Sequence, residues 1–168
     1  MSDVYAMDSV ADDLESSELN KYLTFVLGSV YYGLDIQHVR EIIGMQQVTI
    51  VPDVPPFIKG VINLRGKVIP VMDVRRRFHM ESRPYDERTC IVVIHVGDWL
   101  VGLVVDTVSE VLDIPRGDIE PPPEAFGFGQ RQDHFIAGMG KVGDDVRMLI
   151  DARKLLGCTT ASVPTAEA

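Results

Sequence analysis

The sequence predicts a mostly β protein made of two small, packed barrels related by internal duplication. Three observations carry this reading. Phe57 to Phe78 (FIKGVINLRGKVIPVMDVRRRF) recurs without a gap as Phe135 to Leu156 (FIAGMGKVGDDVRMLIDARKLL). The segments before them match in the same order, Tyr22–Ile43 lying on Ile91–Leu112. Such self-similarity is a fold signal in its own right. Finally, the strands read from turn residues and β-branched runs are short and closely spaced, which suits a barrel that closes its own edges.

Each element follows from local chemistry. Tyr22 to Leu27 is rich in β-branched and aromatic residues, and Gly28-Ser29 turns the chain into a second strand, Val30 to Leu34. Asp35 is a good cap for a short helical segment, Ile36 to Arg40, before the pattern becomes extended again at Glu41-Ile42-Ile43. Pro52, Pro55 and Pro56 end that extension. Phe57 to Phe78 then reads as strand, tight turn at Arg65-Gly66-Lys67, strand and short helix. Gly66 supplies the positive φ that such turns use. Pro70 removes a ladder donor, so the return strand is expected at an edge or at a bulge. Asp73 caps Val74 to Phe78.

Met80 to Arg88 is polar, contains Pro84 and reads as the connector between copies. Thr89–Val96 and Leu100–Val105 form the next hairpin, turned at Gly97-Asp98. Asp106 to Glu110 is expected to repeat the short helical segment, and Val111-Leu112 to extend. Between Pro115 and His134 the second copy carries about nine extra residues, including Pro121-Pro122-Pro123 and Phe126-Gly127-Phe128-Gly129. These read as a long surface loop. The resulting plan is a disordered acidic tail over 1–20, a folded region over 21–157 with halves at about 21–80 and 88–157, and a flexible tail over 158–168.

Totals exclude several functions. A net charge of −9 and 46% apolar residues describe an acidic chain with enough material for a core. Nucleic acid and anionic lipid select basic surfaces, so neither is expected as a partner. No apolar run approaches the roughly 20 residues that span a bilayer, and the start MSDVYAMDSV lacks a signal-peptide pattern, so a cytoplasmic protein without direct membrane insertion is expected. Cys90 and Cys158 have no metal or redox spacing and read as reduced thiols. His38, His79, His95 and His134 are scattered, and no nucleophile elbow, phosphate loop or dinucleotide fingerprint occurs. No catalytic residue, metal or cofactor is expected. Arg75-Arg76-Arg77 reads as a solvated last helical turn, since cations suit helix C-termini.

The run Phe57-Ile58-Lys59-Gly60-Val61-Ile62-Asn63-Leu64-Arg65-Gly66, with KVIPVMDVRRRF after it and YGLDIQHVREII before it, resembles the CheW family of bacterial chemotaxis coupling proteins. The likeness spans about Lys21 to Leu156. It implies two SH3-like, five-stranded barrels. It also implies a non-enzymatic scaffold that joins the cytoplasmic tip of methyl-accepting chemoreceptors to the regulatory domain of the kinase CheA, recruited to membrane-associated receptor arrays. Carried over by motif, the receptor-binding residues are Val39, Glu41, Gly60, Asn63, Leu64, Arg65, Gly66, Val108 and Val111. The valines would offer an apolar floor to an amphipathic helix and Arg65 a fork for a carboxylate or carbonyl, with Glu41 as its intramolecular partner. The kinase contact has no short motif and is unassigned. Two other readings stand beside this one: an SH3-like peptide-binding module, for which Tyr31, Tyr32 and Trp99 are the candidate aromatics, and a coupler in a chemotaxis-like surface-motility pathway.

Overall fold

The computed structural model describes residues 21–122 and 135–157. Both tails and the Phe126–Gly129 loop lie outside the described residues. The first copy contributes β1 (Lys21–Leu27), β2 (Val30–Asp35), a 3-10 turn (Ile36–His38), β3 (Val39–Gly44), β4 (Ile58–Leu64), β5 (Lys67–Asp73) and α1 (Val74–Arg77). The second contributes β6 (Cys90–Val96), β7 (Trp99–Val105), β8 (Thr107–Asp113), a 3-10 turn (Arg116–Asp118), β9 (Ile119–Glu120), β10 (Ile136–Val142), β11 (Asp145–Ile150) and α2 (Ala152–Leu156). The Asp35, Asp73 and Asp151 carboxylates cap as their sequence positions suggest, each accepting from a backbone N–H of the following turn.

Two local expectations are corrected. Asp106–Glu110 is not helical, because β8 runs through it. The repeat mate of the capping Asp35 is Val104, so the second copy has no carboxylate where the cap is needed. The β-branched Thr107 and Val108 instead pair with Val26 and Phe25 of β1. Nor does Pro70 make β5 an edge strand, since β5 lies between β4 and β7. Opposite Pro70, Val61 exchanges its N–H and C=O with Thr49 at 2.9 and 2.8 Å, so that pair needs no donor from Pro70. The parallel ladder with β7 begins one residue later, at Val71. The bulge lies on the partner strand, between Ile58 and Gly60.

The strands form two sheets, ordered β8-β1-β2-β11-β10-β9 and β3-β6-β7-β5-β4. Each sheet therefore combines the first hairpin of one copy with later strands of the other. The connector Met80–Arg88 divides the sequence copies, whereas the sheets exchange strands across it. One register serves both sheets. Val39↔Ile94 recurs as Phe25↔Val108, Ile42↔Val92 as Leu23↔Val111, and Val71↔Gly102 as Gly33↔Leu149. The bulge between Ile58 and Gly60 recurs between Ile136 and Gly138.

A large core of Leu23, Phe25, Leu34, Val92, Ile94 and Leu103 is shared by both sheets. A second cluster, Ile62, Ile69, Val71, Ile91, Val93 and Val104, belongs to the five-stranded sheet alone. Burying each such side chain contributes about 1.5–3 kcal/mol. Its counterparts in the six-stranded sheet are Gly140, Arg147, Leu149, Tyr22, Thr24 and Asp35, a far more polar set. Buried Ile114 lies against Gly140 there, where an added Cβ would stand 3.1 Å from it. Arg147, only 7% exposed, stacks 4.1 Å above the Tyr31 ring.

The reading of the basic turn of α1 as solvated is also corrected: two of its three arginines are structural. The Arg75 guanidinium donates to both Asp106 oxygens at 2.8 and 2.7 Å, and the pair is 14% and 10% exposed. Asp106 accepts further from Arg83 (2.9 Å) and from the Gly28 N–H (2.8 Å). Arg77 lies 4.4 Å from the ring centroids of both Phe57 and Phe135, which are repeat mates. It donates to the Leu155 carbonyl in the last turn of α2 at 2.7 Å.

Burial alone would raise the Asp106 carboxyl. Hydrogen bonds from Arg75 and Gly28, with the charges of Arg75 and Arg83, outweigh burial and hold it below its ordinary value. Asp106→Ala, which strands Arg75 without its partner, is expected to cost about 3–5 kcal/mol in urea unfolding at neutral pH. Because the folded-state value is lowered, the carboxylate's contribution is present above its unfolded value and is lost as pH falls through the folded one. Wild-type stability should therefore drop below about pH 4. Asp106→Asn should show a shallower acid decline, and an equal decline would contradict this assignment.

Candidate functional site

The hairpin joining β4 to β5 is rigid for local reasons. Arg65 and Gly66 both have positive φ, 53° and 87°, as the two-residue turns matching strand twist require. The Asn63 Oδ1 accepts the Gly66 N–H at 2.8 Å and closes the turn from inside. Arg65 then reaches across to β3, donating through Nη1 to Glu41 Oε2 at 2.8 Å and through Nη2 to Oε1 at 2.6 Å. The Arg65 hydrogen bond holds the Glu41 carboxyl below its ordinary value despite the opposing effect of burial. β3 and β4 are opposite edges of the five-stranded sheet, so this pair and the Thr49↔Val61 bridge draw its two edges toward each other.

These contacts bring together Glu41, Asn63, Leu64, Arg65 and Gly66. Arg65 keeps 70% of its side chain exposed while paired, whereas Glu41 keeps 24%. Two of its five N–H donors are engaged with Glu41, so the outward edge of the fork can take an acceptor. Leu64 packs against the smaller core beneath the turn. Val68, opposite Asn63 on β5, is 62% exposed and adds apolar surface beside the pair. Sequence reading passed over it because alternation along β5 only told which face it shared. Its exposure depends on what the other sheet leaves uncovered.

The remaining candidates fall elsewhere. Val39 is buried in the large core and offers no surface floor. Gly60 is buried with φ of +149°, and an added Cβ would stand 2.1 Å from the Thr49 carbonyl oxygen. That glycine lets the chain after β3 bridge to β4, which is a structural reason for its place in the motif. Val108 and Val111 lie on β8, the edge of the six-stranded sheet, half-buried against the large core. Two of the three candidate aromatics of a peptide groove are engaged: Tyr32 stacks on Phe25 and meets Phe78 at a tilt, and Tyr31 lies beneath Arg147. Among the described residues, no cluster of three or more His, Cys, Asp or Glu could hold a metal ion. Among them also, no helix is long and apolar enough to cross a membrane.

Residues 21–158 match the CheW-like domain family. The chemotaxis protein CheW of Klebsiella aerogenes is 42% identical over 136 residues, 81% of this chain and 81% of that protein. The chemotaxis protein CheW of Bacillus subtilis is 34% identical over 136 residues, 81% of this chain and 86% of that one. Among solved structures, the scaffolding protein TtCheW of Thermoanaerobacter tengcongensis superposes with a TM-score of 0.74 at 35% identity, covering 82% of this chain and 92% of that one.

The structural role of Gly60 can be measured apart from function. Gly60→Ala must move the Thr49 bridge or strain the backbone, and either should lower stability by about 2–4 kcal/mol in chemical denaturation. Gly66→Ala, with open space around the added Cβ, bears only the cost of positive φ. It should lose about 1 kcal/mol. Equal losses would contradict the crowding at Gly60.

Proposed function

The chain belongs to the CheW family, and from that premise we propose how it works as a scaffold of chemotaxis signalling. It is a coupling protein that joins transmembrane chemoreceptors to the histidine kinase CheA without chemistry of its own. The working unit is residues 21–157, held in receptor arrays at the membrane by its partners. In this reading each sheet is an SH3-like barrel, supported by the edge-to-edge contacts Thr49↔Val61 and Arg65–Glu41 in one sheet. In the other, the corresponding support is the β9–β10 pairing of Glu120 with Met139.

The receptor's cytoplasmic helical tip docks on the hairpin end, Asn63 to Gly66, with Glu41 beside it. Val108 and Val111 extend the apolar contact from the other sheet. One observation carries this reading: an exposed guanidinium held in a fixed direction by a bidentate carboxylate and a rigid turn. Preorganisation of this kind lowers the ordering cost of binding. A free arginine on a mobile loop would lose rotamer entropy at each encounter. Glu41 orients Arg65, and the apolar neighbours Leu64 and Val68 supply area for a helix face. Val39 and Gly60 support the site from beneath.

The test is CheA autophosphorylation in receptor-bearing membranes, with this protein absent, present, or present as Arg65→Ala. Wild type should activate strongly. Arg65→Ala should weaken receptor binding by about 2 kcal/mol, roughly 30-fold, as truncation of an anchoring arginine does. Its thermal midpoint should stay close to wild type because the side chain is exposed. Undiminished activation by Arg65→Ala would remove the hairpin from the receptor interface. No activation by wild type with its own receptors and kinase would remove the coupling assignment.

A further inference from the structure

The two copies share one register but differ in how they treat the capping aspartate, and that difference points to an unassigned binding site. In the first copy, Asp73 caps α1 through Oδ1 and accepts the Tyr85 hydroxyl through Oδ2 at 2.9 Å. Tyr85 arrives on the irregular connector after α1, and the Lys59 ammonium stands 5.5 Å from its ring centroid. Asp73 is 5% exposed as a result. Burial and the neighbouring Asp73 charge push the phenol well above its ordinary value, which keeps the hydroxyl a donor.

In the second copy, Asp151 caps α2 through Oδ1, donated to by the Lys154 N–H at 3.1 Å, and Oδ2 has no hydrogen-bond donor among the described residues. Asp151 stands beside a cavity of about 440 Å³. Its lining includes Ala137 and Gly138, the mates of Lys59 and Gly60, with Tyr22 and Asp35 from the first copy. The residues that touch Tyr85 in one copy thus have counterparts lining an open cavity in the other. That volume lies toward the lower end of the roughly 300–1,000 Å³ typical of ligand sites.

We propose that the cavity beside Asp151 receives a tyrosine side chain from a partner polypeptide, its hydroxyl donating to Asp151 as Tyr85 donates to Asp73. The chemistry selects this occupant. Asp35 and Asp151 outnumber the one guanidinium of the lining, Arg153, and His38 stands with them, so the cavity favours a donor over an anion; a neutral phenol offers one donor and an apolar ring to Leu149 and Ile150. The occupant comes on a polypeptide because its template does: Tyr85 reaches Asp73 from an irregular segment of chain. Ala137 replaces the lysine of the template, so the second site lacks that ammonium and has Arg153 as the cation of its lining.

The site can be tested on the full chain without receptors or kinase, so its failure is separate from failure of the coupling role. N-acetyltyrosinamide is titrated while backbone amides are followed by 1H–15N NMR. Saturable shifts are expected at Gly138, Asp151 and Ala152, with no matching response to N-acetylphenylalaninamide at the same concentrations. Ala137→Lys, at an exposed position, restores the template's cation and should tighten binding about two- to five-fold. An equal response to the phenylalanine analogue, shifts centred elsewhere, no saturable response, or no gain in Ala137→Lys would each overturn the proposal.

Discussion

The two parallel ladders between copies are the constraint on which the rest of the structure depends. β5 runs beside β7, and β11 beside β2, so neither sheet exists without strands from both copies. Parallel pairing needs close approach of strands that are distant in sequence. At the crossing points the chain carries Gly33 and Gly102, where an added Cβ would come 2.8 Å from Leu149 and from Ile91. Small residues at these mates leave room for the cluster on each sheet's other face, Ile91 and Val71 in one and Leu149 and Tyr22 in the other. The exchange also explains how copies that would be marginal alone become stable. The large core takes strands from both, and unfolding one copy would expose half of the other's sheet.

Within this shared register the two sheets carry different inner faces. The five-stranded sheet keeps an apolar second core, whereas its counterpart in the other sheet holds Arg147, Thr24 and Asp35. Thr24 resolves its own burial by exchanging hydrogen bonds with the Glu110 backbone at 2.7 and 3.1 Å. Arg147 resolves its burial less completely, through Tyr31 and a 3.8 Å approach to Asp145. The six-stranded sheet thus holds polar groups where the five-stranded sheet packs apolar ones. The Arg75–Asp106 and Arg77–phenylalanine contacts reinforce the junction from the first copy's helix.

Strand positions and hairpin turns were legible because they follow local rules: β-branched runs, glycine turns and aspartate caps. The repeat was legible for the same reason, since its matched residues are the ones that those rules select. The exchange of strands was not, because periodicity tells which face a residue shares and says nothing of which strand lies beside it. That ignorance propagates. Pro70 looked like an edge marker only because the neighbour of β5 was unknown. Arg75 looked solvated because Asp106, its partner, lies in the other copy. At the site, Arg65 and Glu41 could be paired from the motif, although Glu41 lies within β3 and Arg65 on the turn after β4. The same reading placed Val39 at a surface. A valine in an alternating strand carries no mark of whether its buried side faces the shared core or a groove.

The hairpin end is where the two copies become chemically unequal. Arg65 has Gly143 as its repeat mate, so the second copy has no guanidinium to pair with Glu110, the counterpart of Glu41. Its turn is instead Gly143-Asp144, followed by Asp145, which puts acid where the first copy has base. Nothing in the shared register requires this difference. Both turns carry positive φ at the same place, 53° at Arg65 and 63° at Gly143, so either backbone would accept glycine without strain. Arginine bears a conformational cost there that glycine would avoid. Its bidentate contact with Glu41, mostly in solvent, offsets little of that cost. A residue kept against local preference and with little stabilising return is better explained by what it presents outward. The fold supplies two equivalent platforms, and only one of them carries the fork.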